Sequence, residues 1–235
     1  MIDPIVYMHG LPGSEEELRL AGAARRVLAL PLSATDLPMP KARVIGFSLG
    51  AFRALRLAAE QPHSVRDLIL ISPAAPLDLA AVLPEMAGRS VFTLAQFPAR
   101  FRAFSAAQTA AALVAPDWVL AQMLATATPE ERALLALPHR RTILRHGLRH
   151  SLWTQHRTYV AEILAYVTPW ADLLGRVQCP VAIIHGGADT WTPPAMASAL
   201  SRALPKPPTI TRLQEAGHYG TLIRVLEGEV AGVWA

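Results

Sequence analysis

One turn limits what this chain can become. Gly46-Phe47-Ser48-Leu49-Gly50 stands between the apolar run Arg43–Phe47, which reads as a strand, and a helical run from about Leu49 to Glu60. A strand that passes into a helix without a linker must reverse within a residue or two. The two glycines allow it, because they leave space where the elements approach most closely. Such a turn lifts the Ser48 hydroxyl clear of the sheet and aims the Leu49 N–H into the same space.

The flanking sequence keeps the same rhythm. Ile5–Met8, Val27–Leu30, Leu68–Ile71, Val181–Ile184 and Thr209–Leu213 are short apolar runs bounded by turn residues, and each is read as a strand. Ser14 and Glu17 have capping-box spacing, which predicts a helix to about Arg26. Further helices are expected over Pro194–Leu204 and Gly220–Trp234. Strand and helix alternating in this way imply parallel pairing with right-handed crossovers. Residues 77–170 differ. They are Ala- and Leu-rich, have helical period, and are cut by Pro84, Pro98, Pro116, Pro129 and Pro138 with no clear strand. Residues 1–76 and 171–235 therefore form one α/β core, and 77–170 form a helical insertion in it.

Composition removes several alternatives. Cys179 is the sole cysteine, so no intramolecular disulfide forms, and a reducing, cytoplasmic setting is expected. The start, Met1-Ile2-Asp3-Pro4, lacks the basic and apolar regions of a secretory signal. No apolar run approaches the ~20 residues of a membrane span. The net charge is +4, and all 22 basic residues except Lys41 and Lys206 are Arg. Without a recognition motif, that bias does not predict a nucleic-acid partner.

A serine hydroxyl is a weak nucleophile near neutral pH and needs a base, itself oriented by an acid. His218, in Glu215-Ala216-Gly217-His218, is the candidate base. Asp189, in His185-Gly186-Gly187-Ala188-Asp189, is the candidate acid. Both follow predicted strands, so both belong at the carboxyl edge of the sheet beside Ser48. Asp36 and Asp78 are weaker candidates for the acid, and His9 and His185 are read as loop braces.

Four segments in this order, His9-Gly10-Leu11-Pro12-Gly13, the Ser48 turn, His185–Asp189 with Trp191–Pro194, and Glu215–His218, make the chain resemble the α/β-hydrolase family. The resemblance implies a mostly parallel sheet with a helical cap formed by residues 77–170. It implies a serine hydrolase that cleaves a small carboxylic ester or thioester through an acyl-Ser48 intermediate, with Asp189 and His218 completing the triad. It also implies an oxyanion hole from the Leu11 and Leu49 N–H groups, and no cofactor or metal. Acyl transfer, carbon–carbon bond hydrolysis and cofactor-free lysis share these landmarks, as would a non-catalytic binder of the same fold. The sheet is shortened at its N-terminal edge. There is no room for two antiparallel strands before Ile5, and residues 33–42 are too few and too Pro-rich for the usual helix before the Ser48 strand. The expected spatial order begins Val27–Leu30, Ile5–Met8, Arg43–Phe47. A bare Val27–Leu30 edge leads us to expect self-association as a homodimer.

The insertion carries one chemical signal. Between Glu131 and Glu162 there is no acidic residue but there are six Arg, of which Arg141, Arg145 and Arg149 recur every four residues on one helix stripe, beside Leu144, Leu148 and Leu152. The stripe is either a solvated face or a docking surface for an anion: a carboxylate, a coenzyme A phosphate or an acidic acyl carrier protein. The carrier-protein methyl ester esterases of this fold are similar in their short core and basic helical cap. His146 and His150 have the spacing of a metal pair but lack the accompanying Glu of a zinc-protease motif. Phe92, Phe97, Phe101, Phe104, Trp118 and Trp153 are candidates for cap core or for an apolar acyl pocket.

Overall fold

The computed structural model describes residues 4–22, 27–37, 39 and 41–234. Six strands, β1 (Ile5–Met8), β2 (Leu28–Ala29), β3 (Ala42–Phe47), β4 (Val65–Ile71), β5 (Val181–Gly186) and β6 (Thr209–Leu213), form one all-parallel sheet in the order β2-β1-β3-β4-β5-β6. The chain starts near one edge, steps outward to β2, returns across β1 to β3 and then runs to the other edge. The central strands are continuous apolar runs because helices or cap cover both faces. Val44, Ile45, Leu68, Leu70 and Ile71 are buried.

Ten α-helices follow in chain order among the described residues: α1 (Leu49–Glu60), α2 (Leu77–Ala80), α3 (Arg89–Ala95), α4 (Pro98–Val114), α5 (Pro116–Met123), α6 (Pro129–Leu135), α7 (Pro138–Arg149), α8 (His156–Val167), α9 (Ala195–Ala203) and α10 (His218–Glu227). α1 and α10 are buried on almost every side, α1 against β3 and β4 and α10 against β5. The insertion, α2 to α8, holds no strand among its described residues. Proline opens α4, α5, α6 and α7, where its missing N–H costs nothing and its fixed φ suits the helix. The prolines that cut the sequence are thus helix starts.

The sequence overreached at four element boundaries. The Ser14–Glu17 pair is not a capping box. The chain makes a short 3₁₀ turn over Glu15–Arg19, Ser14 forms no cap bond, and Glu17 is buried. The expected continuation to Arg26 includes residues 23–26, which lie outside the described residues. β2 keeps two of the four residues of Val27–Leu30, because it pairs on one side alone. It leaves Leu28 40% exposed at the sheet edge. α9 is a residue shorter than expected at its C-terminal end, where Leu204 turns extended. The closing helix stops at Glu227, because Gly228 takes a left-handed conformation and ends it.

Hydrogen bonds fasten the helical insertion to the rest of the chain. Ser151 Oγ, in a π-helical turn over His150–Thr154, accepts the Gly13 N–H at 2.8 Å and donates to the Gly13 carbonyl at 2.7 Å. Tyr166 Oη donates to the Ala75 carbonyl at 3.0 Å, and Arg140 Nε donates to the Leu20 carbonyl at 2.8 Å. Gly147 of α7 lies directly on Gly13, where any side chain would crowd the loop backbone. Leu144, Leu148 and Leu152 are buried, as their stripe implies.

Candidate active site

The Ser48 turn has the geometry that its sequence requires. Ser48 has φ 57° and ψ −124°, a conformation that a side chain other than glycine adopts only when its surroundings enforce it. β3 delivers it through the Ser48 N–H bond to the Ile71 carbonyl at 3.0 Å, and α1 begins at the next residue. The glycines are steric necessities. A Cβ at Gly46 would sit 2.7 Å from Ala51 Cα, and one at Gly50 would run into the Met8 carbonyl oxygen.

Asp189 and His218 come together from 29 residues apart. The β5–α9 loop carries Asp189 and the N-terminus of α10 carries His218, and Asp189 Oδ2 lies 2.8 Å from His218 Nδ1. Both groups are buried. Asp189 Oδ1 accepts the N–H groups of Trp191 and Thr192, each at 2.9 Å. Thr192 Oγ1 lies 2.9 Å from Asp189 Oδ2 and 3.0 Å from the Ser72 carbonyl oxygen. Burial alone would raise the Asp189 pKa. The facing His218 and the donors outweigh it and hold the carboxyl below the usual range. Burial likewise works against the charged His218, and the Asp189 charge outweighs it, so the imidazole pKa lies above its ordinary 6.5. With Nδ1 facing a carboxylate, the proton sits on Nδ1 and Nε2 is the free base.

Phe47, the residue before Ser48, adjoins this pair. The ring of Phe47 stands 4.8 Å from the His218 ring, with Trp191 and Tyr219 around the imidazole. Among the described residues the Ser48 hydroxyl is held by no hydrogen bond. The N–H groups of Leu11 and Leu49 have no acceptor among the described residues, although both residues are buried. Gly10, next to Leu11, is close to Ser48: a Cβ there would stand 3.2 Å from Ser48 Cβ. Two amides without acceptors thus belong to the segments that meet at the serine.

The other expected residues divide. His9 Nδ1 lies 2.8 Å from the Gly10 carbonyl, and burial lowers its pKa to about 4, so it is a neutral brace. His185 Nε2 lies 2.6 Å from the Thr192 carbonyl, and burial again lowers its pKa. Asp36 is an exposed residue bonded to Thr35 and Gln61, away from the triad. Asp78 begins the cap in α2 and makes no bond to His218. Arg141 and Arg145 both hold Asp117, and Arg149 is exposed. His146 approaches Ser14 Oγ at 3.4 Å, and His150 faces His9 edge-on at 6.5 Å. Phe92 and Phe101 are cap core, whereas Phe97, Trp118 and Trp153 are exposed.

Two carboxyls were missed by sequence reasoning. Glu17 Oε1 accepts from Tyr7 Oη at 2.5 Å and from the Gly10 N–H at 3.0 Å. Glu131 Oε1 accepts the Gly220 N–H at 3.0 Å. Neither has a local signal, since a partner 7 to 89 residues away decides its burial.

The alpha/beta hydrolase fold family matches residues 24–223. The chain belongs to that family. Two relatives of this alpha/beta hydrolase are named pimeloyl-[acyl-carrier protein] methyl ester esterase. The one from Chromobacterium violaceum is 29% identical over 174 residues, covering 74% of this chain and 61% of that protein. The one from Neisseria meningitidis serogroup C / serotype 2a is 30% identical over 179 residues, covering 75% and 62%. The match thus spans about three-fifths of the length of these relatives. Among solved structures, the esterase RhEst1 from Rhodococcus sp. ECU1013 superposes with a TM-score of 0.61 at 16% identity, covering 98% of this chain and 90% of that one. The enol-lactonase from Burkholderia xenovorans LB400 gives a TM-score of 0.63 at 15% identity, covering 96% and 88%. These structures share the fold. No helix among the described residues is long and apolar enough to cross a membrane.

Glu17 makes stability depend on pH. Burial raises its pKa from 4.5 to about 7, against the bonds from Tyr7 and Gly10. A carboxyl whose folded value exceeds its unfolded value supports folding fully below the unfolded value and loses that support as pH rises through the folded one. The Glu17→Gln variant cannot titrate. Its unfolding free energy relative to wild type should therefore rise by on the order of 3 kcal/mol between pH 5 and pH 9. Urea melts at the two pH values measure this, and a constant difference would contradict it.

Proposed function

We propose that the protein hydrolyses carboxylic esters through an acyl-Ser48 intermediate. The single observation that carries the reading is the buried 2.8 Å contact between His218 and Asp189 beside a strained serine turn. His218 Nε2 takes the Ser48 proton as Oγ bonds to the ester carbonyl carbon. The carbonyl oxygen becomes an oxyanion that accepts from the Leu11 and Leu49 N–H groups. The carbon–oxygen bond to the alcohol then breaks, and the alcohol leaves with the proton from His218. Water attacks the acyl-serine, giving its proton to His218. The second oxyanion collapses, the acid departs and Ser48 regains its proton.

The cap supports a substrate with an anionic arm, free or carried on an acidic protein. A cavity of about 190 Å³ among α5, α6 and α7 has Arg132 and Arg141 with Asp117 on its wall, above Leu120, Leu124 and Leu144. The same three leucines line a narrow gap against Pro12 and Gly13 of the oxyanion loop. The Arg groups thus share a cavity wall with leucines that also pack against the Pro12–Gly13 loop. The relatives named for a carrier-protein methyl ester fit that arrangement.

Ser48→Ala should abolish turnover of a p-nitrophenyl ester, and wild-type rates in that variant would rule out the mechanism. Asp189→Asn should lower kcat by roughly 10⁴-fold. Because Asp189 raises the His218 pKa above 6.5, wild-type kcat/KM should fall as pH drops through a value above 6.5. In Asp189→Asn that limb should move to lower pH.

If the Arg face receives an anion, KM for an anionic ester should rise with ionic strength while KM for a neutral ester stays level. Equal salt responses would dismiss the anionic arm.

A further inference from the structure

Glu131 belongs to the cap but makes its bond in the core. It lies in the first turn of α6, where its own N–H donates to Thr128 Oγ1 at 3.0 Å. Its side chain turns away from that helix, is 5% exposed, and accepts the Gly220 N–H at 3.0 Å. Gly220 is the third residue of α10, and His218 is the first.

The first turn of a helix has N–H groups with no acceptor inside the helix, and the preceding side chain commonly supplies one. Here the preceding residue is Gly217, which has no side chain to offer. A Cβ at position 217 would occupy the space that Glu131 Oε2 now fills. The local cap is absent, and a carboxylate from a separate part of the chain takes its place. It also brings negative charge to the positive end of the helix dipole.

That charge faces the base. The titratable groups near enough to act on the His218 charge or to touch its ring are Asp189 and His185 from β5 and its following loop, Glu17 from the turn after β1, Glu131 from α6 and Tyr219 from α10 itself. Asp189 alone among them bonds the ring. Glu131 acts through the helix that carries the ring and through its field. Nearby, Thr126 Oγ1 meets Thr190 Oγ1 at 3.0 Å, and the Ala87 N–H donates to the Thr190 carbonyl at 2.8 Å. The same face of the cap therefore also touches the loop of the acid.

We propose that Glu131 is a positioning residue for the base, by which the seated cap fixes the first turn of α10 and favours the imidazolium that forms as Ser48 loses its proton. This rests on the Ser48–His218–Asp189 reading above. Cap seating and base strength are then one property: lifting α6 from the core removes a helix cap and a counter-charge from His218 together.

The test follows the rate at which a fluorophosphonate labels Ser48 between pH 5 and pH 9 in the full chain. In that reaction the Oγ–P bond forms, fluoride leaves and the serine proton passes to His218. Glu131→Gln keeps an oxygen that can accept from Gly220 and removes the charge. Its acid limb should move to lower pH by about half a unit or more. Glu131→Ala loses the bond as well, and its plateau rate should fall roughly tenfold. A purely structural role leaves the limb of Glu131→Gln in place, and a limb and plateau equal to wild type overturn the proposal whether or not Glu131→Ala folds. Glu17 titrates in the same range, so the series is repeated with Glu17→Gln. The Glu131-dependent shift should persist there, and its disappearance also overturns the proposal. If wild type is not labelled, or Ser48→Ala is labelled equally, the triad reading itself fails. Labelled wild type with an unmoved Glu131→Gln limb fails Glu131 alone.

Discussion

Asp189 is removed from water, yet its surroundings hold its carboxyl below the usual range. A carboxylate moved into an apolar interior without partners takes up a proton instead. This one has two backbone N–H donors, a threonine hydroxyl and the His218 ring around it. The loop Asp189–Thr192 is folded around the carboxylate, and the Pro193-Pro194 pair leads directly from it into α9. In the proposed mechanism everything else in the site depends on that charge. It sets the proton on Nδ1, leaves Nε2 as the base, and makes an imidazolium tolerable in a dry place. Without it, the strained backbone at Ser48 would present a hydroxyl with nothing to activate it.

The helical insertion, proposed above as a cap, is tied to the core by several hydrogen bonds. It bonds to three of the segments that carry proposed site residues. Ser151 clasps Gly13 in the loop of Leu11, Thr126 meets Thr190 beside Asp189, and Glu131 reaches Gly220 in the helix of His218. A buried clasp such as Ser151 leaves an unsatisfied N–H if broken, at a cost of about 1–3 kcal/mol. These bonds are individually modest. Their placement matters more, because the loops of an open parallel sheet have few neighbours of their own.

The sequence made the sheet legible because parallel strands buried on both faces are short apolar runs, and Ile5–Met8, Arg43–Phe47 and Val181–Ile184 have no other use. The Ser48 turn was legible because sterics demand its glycines. Asp189 and His218 were legible as residues that follow strands, and the structure pairs their side chains. What stayed hidden was decided by distant contacts. Ser14 and Glu17 have the spacing of a capping box, but Tyr7 and Gly10 claim the Glu17 carboxyl first. The Arg141 and Arg145 stripe gave no hint that Asp117, more than twenty residues earlier, would occupy both guanidinium groups. Thr192 was visible within the Trp191–Pro194 segment, but its contact with Asp189 depends on the fold of the loop. Gly228 could have been read as the end of α10, since it is a glycine near the end of a helical run and is followed by an exposed segment.

The most direct measurement is a crystal structure of the protein after reaction with a fluorophosphonate. The account predicts phosphorus bonded to Ser48 Oγ, with its phosphoryl oxygen about 3 Å from the N atoms of both Leu11 and Leu49 and His218 Nε2 turned toward the new bond. Phosphorus on another residue, or a phosphoryl oxygen directed away from both amides, would contradict it.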